Sequence, residues 1–243
     1  MRDLLVTEVV KLRRSGVPWF LLAAGLLPAI TNAFYPNAFS WDRFCLSALL
    51  FVNLAGFIVL TPLAGYSVCR EYESGTWSAL LGSPTPRWKL LLAKYLVFVP
   101  QVLATVLLCM AAALGGGILL SGTLPPGGGF LARQLSLSLA LSCLHLCMAP
   151  AAMLAGILGR RTVGPVLVGL VLLILYRTFL FTAAGSFVPS CIPSLFLLDA
   201  TGIDLYGIPF SFDGRAAVLT MGGLFLACSA GALAAFRSGP PSD

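Results

Sequence analysis

The chain has 243 residues, of which 58% are hydrophobic and only 10% charged. A soluble domain carries about 25% charged residues, so this composition excludes water-soluble domains and makes lipid the solvent for most of the surface. The net charge of +6 comes from basic residues beside apolar runs, where they meet anionic headgroups, so membrane lipid is the expected partner and nucleic acid is not.

The first predicted element is a short helix within residues 1–16. Leu5, Val9 and Leu12 recur at i, i+4 and i+7, with Asp3, Thr7, Glu8, Lys11 and Arg14 elsewhere on the wheel. That pattern suits an amphipathic helix lying in the membrane interface. Six apolar runs of membrane-spanning length follow. They are Val17 to Phe34, Cys45 to Val68, Leu91 to Gly115, Leu131 to Leu158, Val163 to Ala183, and Ala216 to Phe236. A cleaved signal peptide would share the basic lead of the first run, but this lead is long, and the run reads as a retained helix. Pro28, Pro62, Pro100 and Pro150 fall inside runs and predict kinks. In the sixth run Gly223, Ala227, Gly231 and Ala235 recur every four residues and predict a small-residue seam.

With the N-terminus inside, the inner face holds Arg2, Lys11, Arg13, Arg14, Arg70, Arg87, Lys89, Lys94, Arg160, Arg161 and Arg237. The outer face holds Arg43, Arg133 and Arg215, and Arg177 lies within the fifth run. Eleven against three places both termini in the cytoplasm. The expected fold class is therefore all-α: a polytopic membrane protein with six transmembrane helices.

Two connecting segments exceed what a plain loop requires. Residues 70–90 join the second and third spans. Trp77, Leu80 and Leu81 recur at i, i+3 and i+4 and would form one apolar face of a short helix. Glu71 and Glu73 suit its N-terminal side, and Pro84 and Pro86 end it. Arg87, Lys89 and Lys94 would then anchor the third span at the headgroups. On pattern alone this helix either rests on lipid or docks into a partner. Residues 185–215, on the outer side, contain apolar pieces too short to span, broken by Pro189, Pro193 and Pro209. They suit a re-entrant or interfacial segment.

The 70–90 segment resembles the permeases of ABC-2 type transporters. The matching residues are Glu71, Glu73, Gly75, Thr76, Leu80, Leu81, Pro84, Arg87 and Lys94. The plan of the whole chain is also similar: an N-terminal interfacial helix, six spans, a coupling helix between spans two and three, and a dipping outer segment before span six. Trp77 and the small size further resemble the permeases of lantibiotic and bacitracin self-protection exporters. The resemblance implies a single transmembrane domain over 1–243 that exports an amphipathic, antimicrobial-peptide-like cargo across a bacterial cell membrane. It also implies a cytoplasmic ABC ATPase partner that holds the ATP and Mg, and a second permease, either an identical copy or a sister chain. The coupling segment would be Glu71, Glu73, Gly75, Thr76, Trp77, Leu80, Leu81, Pro84 and Arg87, with Trp77, Leu80 and Leu81 as apolar anchors and the two glutamates as polar contacts. The chain has no G-x-x-x-x-G-K-[ST] phosphate loop, so no cofactor is expected on it.

Catalytic and metal readings fare poorly. His145 is the only histidine, so HExxH is impossible. Its neighbours Cys143 and Cys147 share a helix face from which it points away, so a histidine buried and hydrogen-bonded to a neighbouring helix is expected rather than a metal ligand. No span carries a central pair of aspartates, and no serine has a base beside it, so no enzyme activity is expected. Arg177, near the outer end of span five, either snorkels or pairs with Asp199, Asp204 or Asp213 to pin the outer segment. A Cys45–Cys191 disulfide is open on compartment grounds. The alternative function is a stand-alone channel or scaffold that is not coupled to ATP.

Overall fold

A computed structural model describes residues 2–34, 39–76, 86–203 and 211–238. Among the described residues all regular structure is helical. The helices are α1 (Arg2–Arg13), α2 (Val17–Ala33), α3 (Trp41–Ile58), α4 (Leu60–Glu73), α5 (Arg87–Ser121), α6 (Gly127–Gly159), α7 (Val163–Phe179), α8 (Ile192–Thr201) and α9 (Gly214–Ser238), with a 3-10 turn over Gly185–Phe187.

Among the described residues, four helices have the length and apolarity to cross a bilayer. They are α3 and α4 taken together as Trp41–Glu73, then α5, α6, and α9 over Gly214–Phe236. The bent pair α1 and α2, which meet at 71°, adds a fifth candidate if counted as one span. The chain is therefore a multi-pass membrane protein. The expected fifth span stops early: α7 ends at Phe179, and its 17 residues reach about 26 Å against a core of about 30 Å. Of the four prolines, Pro62 coincides with an interruption, since the α3–α4 ladder breaks at Val59. Pro28, Pro100 and Pro150 sit inside helices that continue past them.

Both α4 and α9 pack closely on α6, and contacts that a Cβ would block lie on α4, α6 and α7. A Cβ on Gly65 would collide with Pro165 and with the Ala152 carbonyl, and one on Gly156 would lie 2.9 Å from the Gly65 carbonyl. These helices touch backbone to backbone, which only small residues permit. The seam expected on α9 does not form as drawn. Gly223 has no neighbour within 4 Å of a built Cβ and Ala227 is exposed, whereas Gly231 meets Leu154 of α6 and Ala235 packs against the core around Leu60 and Val102. Fourfold spacing of small residues marks a possible contact face, but the bulk of the facing helix decides whether it is used.

Among the described residues, three apolar cores fill the bundle. One, around Leu49, Val106 and Leu141, joins α3, α5 and α6. A second, around Leu60, Val102 and Phe236, joins α4, α5, α6 and α9 at the end that carries most of the basic residues. A third, around Phe57, Tyr176 and Ile192, holds α8. Helix α8 is too short to cross a membrane, yet its Ile192, Leu195, Leu197 and Leu198 are all buried. The rest of the bundle's outer surface is apolar: Trp19, Phe20 and Leu27 on α2, Leu167 and Ile174 on α7, and Val218 and Leu226 on α9 are exposed. Such a surface suits hydrocarbon and not water.

Candidate functional site

The site is the basic end, where residues 70–90 leave and re-enter the bundle. Helix α4 ends there because Gly75 takes φ +68, a conformation glycine adopts without a Cβ clash, and its N–H closes back on the Tyr72 carbonyl. Just before that stop, Glu71 points into the bundle and is 2% exposed. Its Oε1 accepts from Lys11 Nζ at 2.8 Å and from Lys94 Nζ at 3.0 Å. Its Oε2 accepts from Thr76 Oγ1 at 2.6 Å. Glu8 of α1 completes the group, 3.3 Å from Lys11 and 3.1 Å from Lys94. Lys94 donates a further bond to the Ser67 carbonyl at 2.8 Å. Two carboxylates and two ammoniums thus balance, and every charge has at least two partners, as buried charge requires. Burial works against the Lys11 charge, but the hydrogen bond to Glu71 and the nearby Glu8 and Glu71 carboxylates outweigh it, and its pKa stands above the usual lysine value.

The cluster ties three elements, α1, α4 and α5, at the point where the loop begins. It also corrects three expectations. Glu71 is no free polar contact for a partner, because it is buried and fully engaged. Lys94 does not reach the headgroups, because it is 3% exposed and paired inward. On α1, Glu8 and Lys11 face the bundle together with Leu4, Leu5 and Leu12, while Val6, Val9 and Val10 are exposed. The helix is thus rotated relative to the expected wheel, because the ion pairs with Glu71 and Lys94 draw that face inward. The sequence does carry one signal for this arrangement. Lys94 lies inside an apolar run, and an intramembrane charge calls for a partner.

Neighbouring residues extend the tie. Glu73 is exposed but engaged: its Oε1 accepts from the Thr162 N–H and Oγ1, both at 2.8 Å. It thereby caps the start of α7, where a carboxylate also meets the positive end of the helix dipole. Cys69 Sγ donates to the Arg161 carbonyl at 3.3 Å. Half-buried Arg87 donates from Nη1 to the Phe236 carbonyl of α9 at 3.3 Å. Glu71, Glu73, Gly75, Thr76 and Arg87 therefore lie together at the loop's two roots. Trp77, Leu80, Leu81 and Pro84 fall outside the described residues.

The opposite end holds the other expected residues without joining them. Arg177 is exposed and forms no ion pair among the described residues. Asp199 is exposed, and Asp204 lies outside the described residues. Asp213 is used otherwise, accepting from the N–H groups of Arg215 at 2.9 Å and Ala216 at 3.3 Å to cap α9. The residue that pins α8 is Arg133. It reaches the Thr201 carbonyl at 3.1 Å, the Ala200 carbonyl at 3.5 Å and Asp42 at 3.5 Å. Cys45 and Cys191 are both free thiols and buried. His145 is buried against Gly56 and the Phe57 ring, but its Nε2 has no hydrogen-bond partner, so the expected bond to a neighbouring helix is absent there. Among the described residues no cluster of His, Cys, Asp and Glu could hold a metal.

Apolar helices with their charges gathered at the ends, and one charged group locked inside, define a multi-pass membrane protein. The chain matches the family of ABC-2 family transporter proteins over residues 4–176, and it belongs to that family. It is thus a permease component of an ABC transporter, a class that works with an ABC ATPase. The matched region ends within α7, so α8 and α9 lie beyond it. No curated protein matches the chain.

Proposed function

We propose that this chain is the membrane subunit of an ATP-driven exporter for an amphipathic cargo of the lantibiotic-like antimicrobial-peptide kind. It performs no chemistry itself; ATP and Mg are held by a separate ATPase. Six passes (α2, α3–α4, α5, α6, α7 with the turns that follow Phe179, and α9) cross a bacterial cell membrane with both termini in the cytoplasm. A second permease, identical or a sister chain, completes the pathway. Residues 70–90 form the handle that the ATPase grips, with Trp77, Leu80 and Leu81 as apolar anchors.

The observation that supports this reading is the lock of Glu8, Lys11, Glu71 and Lys94 at the root of that segment. A loop that merely rested on lipid would need no such root. A loop that transmits force does, because a push on it must move α1, α4 and α5 together rather than bend the loop. Glu73 passes the same push to α7 through Thr162.

The test is purification in mild detergent, with ATP hydrolysis measured in the eluate. Trp77→Asp combined with Leu81→Asp, in a chain that still inserts, is expected to reduce co-purifying hydrolysis by more than about ten-fold, as loss of a buried aromatic anchor does. Transport by proteoliposomes containing this chain alone would overturn the proposal.

A further inference from the structure

A cavity of about 260 Å³ lies between α5, α6 and α9 near the basic end. Trp88, Leu92 and Tyr95 of α5 face Met153 of α6 and Phe225 and Ala232 of α9 across it. The α5 residues recur at i, i+4 and i+7, so one face of that helix lines about 10 Å of slot. Both ends of the slot are bridged. Toward mid-membrane the Tyr95 and Phe225 rings meet edge to face with centroids 6.0 Å apart, and Tyr95 Oη donates to the Leu146 carbonyl at 3.1 Å. Toward the basic end Arg87 bridges to the Phe236 carbonyl. Between the bridges the side is open, with Trp88 44% and Leu92 37% exposed.

The lining is almost wholly apolar, so hydrocarbon fits it and water does not. Charge stands at its mouth. Lys89 lies with Nζ 5.6 Å from the Trp88 ring centroid and forms no ion pair among the described residues. We propose that this slot binds one anionic glycerophospholipid, with an acyl chain held between α5 and α9 and the phosphate paired with Lys89. A tail site beside a lysine with no ion pair among the described residues, and with a tryptophan at headgroup level, combines the two attractions that select an anionic lipid over a neutral one. The site depends on the membrane placement of α5 and α9 and not on coupling to ATP.

The test uses the full-length chain in phosphatidylcholine vesicles, with Trp19, Trp41 and Trp77 replaced by Phe so that Trp88 alone fluoresces. Brominated phosphatidylglycerol or brominated phosphatidylcholine is titrated in, since bromine on an acyl chain quenches a tryptophan it touches. Half-quenching is expected at about a five-fold lower mole fraction of the anionic lipid, the preference that one basic residue at the surface confers. Lys89→Glu removes that preference, whereas Arg13→Glu, at the same end but away from the slot, leaves it. Ala232→Phe fills the slot and weakens quenching by both lipids. Equal quenching by the two lipids in the starting chain overturns the proposal, as does a preference that survives Lys89→Glu. So does a Trp88 that neither lipid quenches while Leu92→Cys cross-links two chains, because a second copy would then cover the slot.

Discussion

Residue 94 is a lysine with 3% of its surface exposed, held between Glu71 at 3.0 Å and Glu8 at 3.1 Å. Stripping water from an ammonium costs several kcal/mol, and two carboxylates at these distances offset it. Removing the ammonium leaves the carboxylates buried with one cation fewer. Lys94→Met is therefore expected to lower stability by about 3–5 kcal/mol, read as thermal unfolding in detergent. Lys11→Met removes a cation whose side chain is 33% exposed and costs less than about 1 kcal/mol. Equal losses from the two substitutions would refute the claim that burial makes the difference. Gly56 supplies a second prediction of this kind. A Cβ there would collide with the His145 ring, so Gly56→Ala overpacks the α3–α6 contact by about 1–3 kcal/mol, measured in the same unfolding assay. Gly56's role was not legible from the chain alone, and for Lys94 only the need of a partner was, not which one. A lysine near the end of an apolar run ordinarily snorkels to the headgroups, and the carboxylates that hold this one lie 23 and 86 positions away.

Among the elements, α8 shows how a short apolar helix is kept in place without spanning. Four of its apolar side chains are buried, and Asn53 of α3 donates to Ser194 at 2.8 Å, with Ser194 in turn 3.3 Å from the Tyr176 hydroxyl of α7. The far end is held by Arg133, whose guanidinium meets the carbonyls of Ala200 and Thr201 at the negative end of the helix dipole. Arg133→Gln should remove about 0.3–1 kcal/mol of that hold. Hydrogen exchange across Ile192–Thr201 then speeds up by about two- to five-fold, while exchange in α6 away from residue 133 stays unchanged. Unchanged exchange in α8 would mean that the apolar burial alone fixes it. The existence of this element was readable because its apolar residues are grouped between prolines and are too few to cross a bilayer. Its anchor was not, since Arg177 and Arg133 are both single arginines near the same end. Only the packing of α6 beside α8 selects Arg133.

For the molecule as a whole, the apolar runs were legible because each reports its own hydrophobic length, a property of consecutive residues. The seam on α4, α6 and α7 was not, because it pairs Gly65 with Gly156 from far along the sequence. What the runs do predict is polarity. Under the positive-inside rule the end that carries the charge lock, Arg70, Arg87, Lys89, Arg160 and Arg161 is expected to face the cytoplasm, and the end with Arg43, Arg133 and Arg215 to face away. Ser74 and Thr123 are exposed residues at opposite ends of the bundle, one just past α4 and the other just past α5. In a chain whose natural cysteines are replaced by serine or alanine, Thr123→Cys is expected to react with a membrane-impermeant maleimide in intact cells. Ser74→Cys should react only after permeabilisation. The two ends must exchange behaviour if the chain is inserted the other way, which would put residues 70–90 beyond the reach of any cytoplasmic ATPase. Labelling of both sites from one side would mean that α5 does not cross the bilayer, in conflict with a 35-residue apolar helix about 52 Å long.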